Sequence, residues 1–186
     1  RIGQTNAGAV VTGAPFTVTA VVWQEAGATS GVPTVVSDGL LVDTNWPGFA
    51  LRYQDWNNAL VGIMGPTNGS YALVSQTNWL PGMAGRWVDV AIAHDGTTAR
   101  LFVAGRQVAA ATNAFNACRM PELRIGAGHV NVPTAYWRGG IDDVRVFRRA
   151  LDANALAAVN DWVGDADGDG ASNGAEYLLG TDPRNP

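Results

Sequence analysis

Short apolar runs, often alternating with polar residues, follow one another along most of the chain, separated by clusters of Gly, Pro, Asn and Asp. In residues 16–23, Phe16, Val18, Ala20 and Val22 alternate with Thr17, Thr19, Val21 and Trp23, which predicts a strand with one firmly apolar face. Residues 33–41 predict a second strand region, broken at Asp38-Gly39. Residues 49–53 and 59–64 predict a strand pair joined by the polar loop 54–58, and 71–75 a further short strand. The clearest stretch is 85–111. Two turn dipeptides, Asp95-Gly96 and Ala104-Gly105, divide it into a three-stranded meander, because Gly accepts the positive φ that tight turns need. Its first strand is apolar on nearly both faces and belongs inside the fold. Residues 123–126 and 140–147 predict two more strands.

Near the C-terminus the period changes. Asp152 can cap a helix running through Leu156 and Val159 to Trp162. Gly164 then breaks it and the composition turns acidic and Gly-rich. The expected division is therefore a domain at 1–162 and a linker at 163–186. Many strands with one terminal helix predict an all-β fold, an antiparallel β-sandwich or jelly roll. A chain of 186 residues can bury about 70% of its unfolded surface, enough to fold without staples.

Charge narrows the function. The net charge is −4, and all positive charge comes from scattered Arg with no Lys. No basic stripe exists for nucleic acid, and Schiff-base chemistry is excluded. The single Cys118 forms no internal disulfide and reads as a small buried hydrophobe. No apolar run is long enough to span a membrane. The opening Arg1-Ile2-Gly3 carries no leader pattern and reads as a domain within a longer chain, beside neighbouring domains.

Two motifs carry a family resemblance. Gly85-Arg86-Trp87-Val88-Asp89-Val90-Ala91, followed by Asp95-Gly96 and Leu101-Phe102-Val103-Ala104-Gly105, resembles the hairpin of laminin-G-like, concanavalin-like jelly rolls. The segment 140–151, Gly-Ile-Asp-Asp-Val-Arg-Val-Phe-Arg-Arg-Ala-Leu, resembles their closing strand. The resemblance spans roughly 8–162 and implies that Trp87 and Trp137 are buried and that Asp142 helps hold a structural calcium. The chain departs from the pattern at Val21, where Trp is usual, and at Ala104, where Asp is usual. Members of this family include lectins, carbohydrate-binding modules, adhesion domains and spacers, so fold alone does not assign function.

The strongest chemical motif is Asp165-Ala166-Asp167-Gly168-Asp169-Gly170-Ala171-Ser172-Asn173-Gly174-Ala175-Glu176. Side-chain oxygens from Asp165, Asp167, Asp169, Asn173 and Glu176, with the carbonyl of Ala171, match the EF-hand calcium loop, and Gly170 permits its turn. The following Tyr177-Leu178-Leu179-Gly180-Thr181-Asp182-Pro183 resembles the end of a thrombospondin-type-3-like bacterial repeat, which implies a secreted or cell-surface location.

No catalytic constellation emerges. Glu25, Glu122 and Glu176 form no close pair with another acid on one strand, as glycosidic cleavage would need. Asp142 and Asp143 are adjacent and are expected on opposite strand faces. His94 ends a strand and reads as packing; His129 lies in a Gly-rich loop. Ser residues show no nucleophile elbow. Binding is the better expectation. Sugars offer C–H patches to aromatic faces and hydroxyls to Asn, Asp and Arg. Trp46 and Trp56 sit in polar loops, with Arg52, Tyr53, Asp55 and Asn57 nearby, and Trp79 divides between core and site. Trp23 faces away from the apolar stripe, and Trp162 is expected to pack the helix onto the sandwich. The expected function is a monomeric, non-catalytic polysaccharide-binding module of a larger protein, with an adhesion or spacer domain as the alternative.

Overall fold

The computed structural model describes residues 13–26, 31–38, 48–65, 72–79, 83, 85–112, 114–115, 123–128, 135–160 and 168–171. The chain divides into two compact units, Arg1–Ala150 and Leu151–Pro186. Among the described residues the first holds ten strands: β1 (Phe16–Gln24), β2 (Thr34–Asp38), β3 (Phe49–Gln54), β4 (Ala59–Met64), β5 (Ala72–Thr77), β6 (Trp87–His94), β7 (Thr98–Val103), β8 (Arg106–Thr112), β9 (Leu123–Ile125) and β10 (Gly139–Phe147). They form two five-stranded antiparallel sheets, ordered β10-β1-β6-β7-β8 and β5-β4-β3-β2-β9. This is the all-β sandwich that the alternation predicts.

The core lies between the two sheets. From the first come Phe16, Val18, Ala20 and Val22 of β1, with Val88, Val90 and Ile92 of β6. From the second come Phe49, Leu51 and Tyr53 of β3, with Leu60 and Met64 of β4. Period-two alternation sends these side chains to one face of each strand and their neighbours to the other. The meander forms as expected, and β6 is central in its sheet, flanked by β1 and β7. In the β7–β8 turn, Ala104 and Gly105 both take positive φ, 49° and 72°. That turn favours Asn or Asp at its first central position, so Ala104 is a strained substitute.

The same alternation corrects one reading of the sequence, and a bulge interrupts it at another. Trp87 precedes the core-facing Val88, so it points outward and is 55% exposed, not buried. Asp142 and Asp143, expected on opposite faces, lie where the strand is irregular. The β1–β10 register shifts between Thr19 and Val21, and Asp143 adopts a left-handed φ of 51°. Asp143 then pairs with Arg145, while Asp142 Oδ1 accepts the backbone N–H of Asp143 at 2.8 Å. Trp137 is buried, as the resemblance implies.

In the second unit, α1 (Ala153–Asn160) starts where expected. Asp152 Oδ1 caps it by accepting Ala155 N–H at 2.7 Å. Trp162, the expected helix end and the expected boundary after it lie outside the described residues.

Candidate functional site

The turn between β3 and β4 is held at several points. Asp55 Oδ2 accepts Gly31 N–H at 2.8 Å, and Asp55 N–H returns to the Gly31 carbonyl at 3.4 Å. Asn58 N–H closes the turn on the Asp55 carbonyl at 3.2 Å, with Asn58 at a left-handed φ of 48°. Trp79 N–H caps the Asn58 carbonyl at 2.9 Å, and Asn57 Nδ2 donates to Gln54 Oε1 at 3.2 Å. From this fixed frame the Trp56 side chain emerges 66% exposed, between a half-buried Asp55 and an exposed Asn57. An ordered apolar surface facing water, with carboxylate and amide groups on the same turn, is suited to a ligand that is part C–H and part hydroxyl.

The other expected site residues do not join Trp56 at the surface. Tyr53 has the parity of Phe49 and Leu51, so its ring lies in the core at 1% exposure and only its hydroxyl reaches Asn58 Oδ1, at 3.3 Å. Burial, and then the Asp55 charge, push its phenol up. Trp79 is also interior, 1% exposed, with Nε1 donating to Gln24 Oε1 at 2.6 Å. The partner of its indole is thus a residue far away in the chain, not one of the polar neighbours that suggest a surface tryptophan. Arg52 takes the opposite parity to Tyr53 and is 7% exposed. It belongs to a buried layer on the face of its sheet away from the main core, with Thr34, Ser37 and Gln54 alongside Ala59, Val61 and Ile63. Ala127 and Ala135 border that layer: Ser37 Oγ donates to the Ala127 carbonyl and Thr34 N–H to the Ala135 carbonyl. Trp46 lies outside the described residues.

His94 is buried with Nδ1 accepting Gly96 N–H at 2.9 Å, its ring stacked 6.3 Å from that of Phe16, in keeping with a packing role. Asp89 carries a carboxyl pushed up by burial first and by the charge of Asp143 second. This proximity is not legible in the sequence, because three strands separate the two residues in the chain. The strand order places β1 alone between them. Among the described residues, no group of three or more His, Cys, Asp and Glu side chains gathers as a metal site, at Asp142 or elsewhere. Asp165, Asp167, Asn173 and Glu176 lie outside the described residues. Asp169 and Ala171 are described, and Asp169 Oδ1 accepts Ala171 N–H at 2.7 Å.

The sequence and the fold can both be placed among known proteins. The profile of the concanavalin A-like lectin/glucanases superfamily, Laminin_G_3, matches residues 3–157. No curated protein matches the chain. Among solved structures, the Ruminococcus gnavus IT-sialidase CBM40 superposes with a TM-score of 0.61 at 16% identity, covering 81% of this chain and 84% of that one. Domain 4 of AbnA, a GH43 extracellular arabinanase from Geobacillus stearothermophilus, gives 0.58 at 16% identity over 77% and 65% of the two chains. A heptameric SAP-like pentraxin from Limulus polyphemus gives 0.57 at 14% identity over 87% and 80%. At these identities the likeness speaks for the fold, and it agrees with the profile match: the chain belongs to the concanavalin A-like lectin/glucanases superfamily.

Proposed function

We propose that this chain is a non-catalytic carbohydrate-binding module that stacks a polysaccharide ring on Trp56, within a larger secreted or surface protein and as a monomer. The observation that carries the reading is the exposed indole on a turn already fixed by hydrogen bonds, so that ligand binding need not order the loop. Asp55 and Asn57 are the hydroxyl partners beside it. Two similar structures support the ligand class. The CBM40 module has been seen bound to α2,3-sialyllactose, and AbnA domain 4 is in complex with arabinotriose. No helix among the described residues is long and apolar enough to cross a membrane.

The acidic loop is proposed to bind one calcium ion through Asp165, Asp167, Asp169, the Ala171 carbonyl, Asn173 and Glu176. Supporting this, Gly170 takes a φ of 94° at the position where an EF-hand loop needs glycine. Bound there, the ion would stiffen the segment following the helix; it is assigned no part in sugar recognition. A glycan panel probed with the full chain, with and without calcium, tests the reading. Binding to at least one oligosaccharide class is expected; silence across a broad panel would leave a spacer as the better description.

A further inference from the structure

The outward face of the first sheet holds a second aromatic surface that the Trp56 turn does not use. Along β6, β1 and β10, Trp87 pairs with Trp23, and Trp23 with Gly140, so all three occupy one row of that face. Two strand spacings, about 9.6 Å, separate β6 from β10. The Trp87 indole nevertheless reaches Gly140. A Cβ placed there would lie 2.3 Å from Cη2 and 3.0 Å from Cζ2 of the ring. An indole standing up from the sheet could not reach so far. It therefore lies along the sheet with its ring tip over Gly140, and the residue remains 55% exposed. From the core side, Trp137 Nε1 donates to the carbonyls of Trp23 and Gly140, at 3.1 and 3.2 Å, fixing the two strands under it.

The next row, about 6.6 Å along the strands, is acidic at both ends. Asp89 and Asp142 pair on either side of Val21. Farther along the same face, Thr17, Thr19, Ala91, Ala93 and Phe102 are buried, so the open part is the end where Trp87 stands. A pyranose laid on the indole would direct its equatorial hydroxyls at carboxylate acceptors. A uronate or sialate would meet two like charges there, since Arg145 is already paired with Asp143.

We infer that Trp87, Trp23 and Gly140, with Asp89 and Asp142, form a second carbohydrate site, selective for neutral oligosaccharides. It shares only the ligand class with the reading of Trp56. The test is calorimetric titration of the full chain and of Trp56→Ala, Trp87→Ala and Asp89→Asn with cellohexaose, mannohexaose, arabinotriose and 3′-sialyllactose, each variant checked by thermal melt. Trp87→Ala should weaken a neutral sugar at least tenfold and leave sialyllactose unchanged. Asp89→Asn, which keeps the ring and the fold, should weaken the same sugar severalfold. Gly140→Ala, which displaces the indole without removing it, should match Trp87→Ala. If Trp56→Ala loses binding and none of these variants does, the inference fails while the first reading stands. If only the Trp87 set loses binding, this inference stands and the Trp56 reading fails. If Trp87→Ala instead abolishes a concentration-dependent dimer and no sugar titration changes, the surface is a contact between copies and the inference is wrong.

Discussion

Replacing Trp56 with Ala separates recognition from folding, because the side chain stands outside the core. A Trp side chain presents up to about 250 Å². With 66% of it open, roughly 165 Å² faces water. A sugar covering one face takes about half of that, near 80 Å², which at about 25 cal/mol per Å² gives roughly 2 kcal/mol. Trp56→Ala should therefore raise Kd about thirtyfold. Folding stability should move by less than about 0.5 kcal/mol, since no core contact is removed. Titration calorimetry against the strongest oligosaccharide of the panel reads the first number, and a denaturant melt the second. Binding within twofold of the parent, in a variant with an unchanged melt, would refute the assignment of Trp56. A collapse of stability would refute the description of the turn as self-supporting.

Three further outcomes follow from local geometry. Ala104→Asn should stabilise the fold by about 1 kcal/mol, seen as a thermal midpoint raised by about 2–4 °C, because Asn tolerates the left-handed turn that Ala104 occupies under strain; a midpoint that falls would count against that strain. The Asp95 carboxyl is held well below the usual carboxylate range, first by the Thr97 backbone N–H and next by the Arg100 guanidinium. A depressed folded pKa means its contribution is present above about pH 4 and lost as pH falls through the folded value. Asp95→Ala should accordingly destabilise by about 1 kcal/mol at pH 7, the modest figure suited to an exposed group, with the gap to the parent closing in acid; a pH-independent gap contradicts the assignment. Calcium at a hundredfold excess over Kd should stabilise the calcium-binding unit by about 2.7 kcal/mol, reversed by EDTA and absent in Asp167→Ala; a melt indifferent to both would remove the ion from the description.

The strands were legible because their signals are local. Period-two alternation in β1, turn dipeptides at Asp95-Gly96 and Ala104-Gly105, and a capping Asp152 each act within a few residues. Sheet order is not local and did not follow from these signals: the hairpin and the closing strand, far apart in the chain, lie either side of β1 in one sheet. The β10 bulge was not legible, since nothing in Asp142-Asp143 announces that the second residue adopts a left-handed φ.

The site was read less well, for a physical reason that joins its separate misses. Polarity of sequence neighbours is a poor measure of exposure in a sandwich, where exposure is set first by strand parity and then by what lies over the face. Tyr53 and Arg52 are neighbours in a polar segment, yet parity sends one ring into the core and the other side chain into a buried second layer. The family resemblance implies a buried Trp87, whereas the core-facing parity of Val88, Val90 and Ile92 requires it to point out. Trp79 shows the converse, where a polar neighbourhood conceals burial because Gln24, distant in sequence, satisfies its indole N–H. Trp56 escaped the error because it sits in a turn, where parity has no hold and the hydrogen-bonded frame determines where the ring goes. In this fold a surface aromatic on a strand is best found by counting from the nearest core residue, and one in a turn by asking what holds the backbone still.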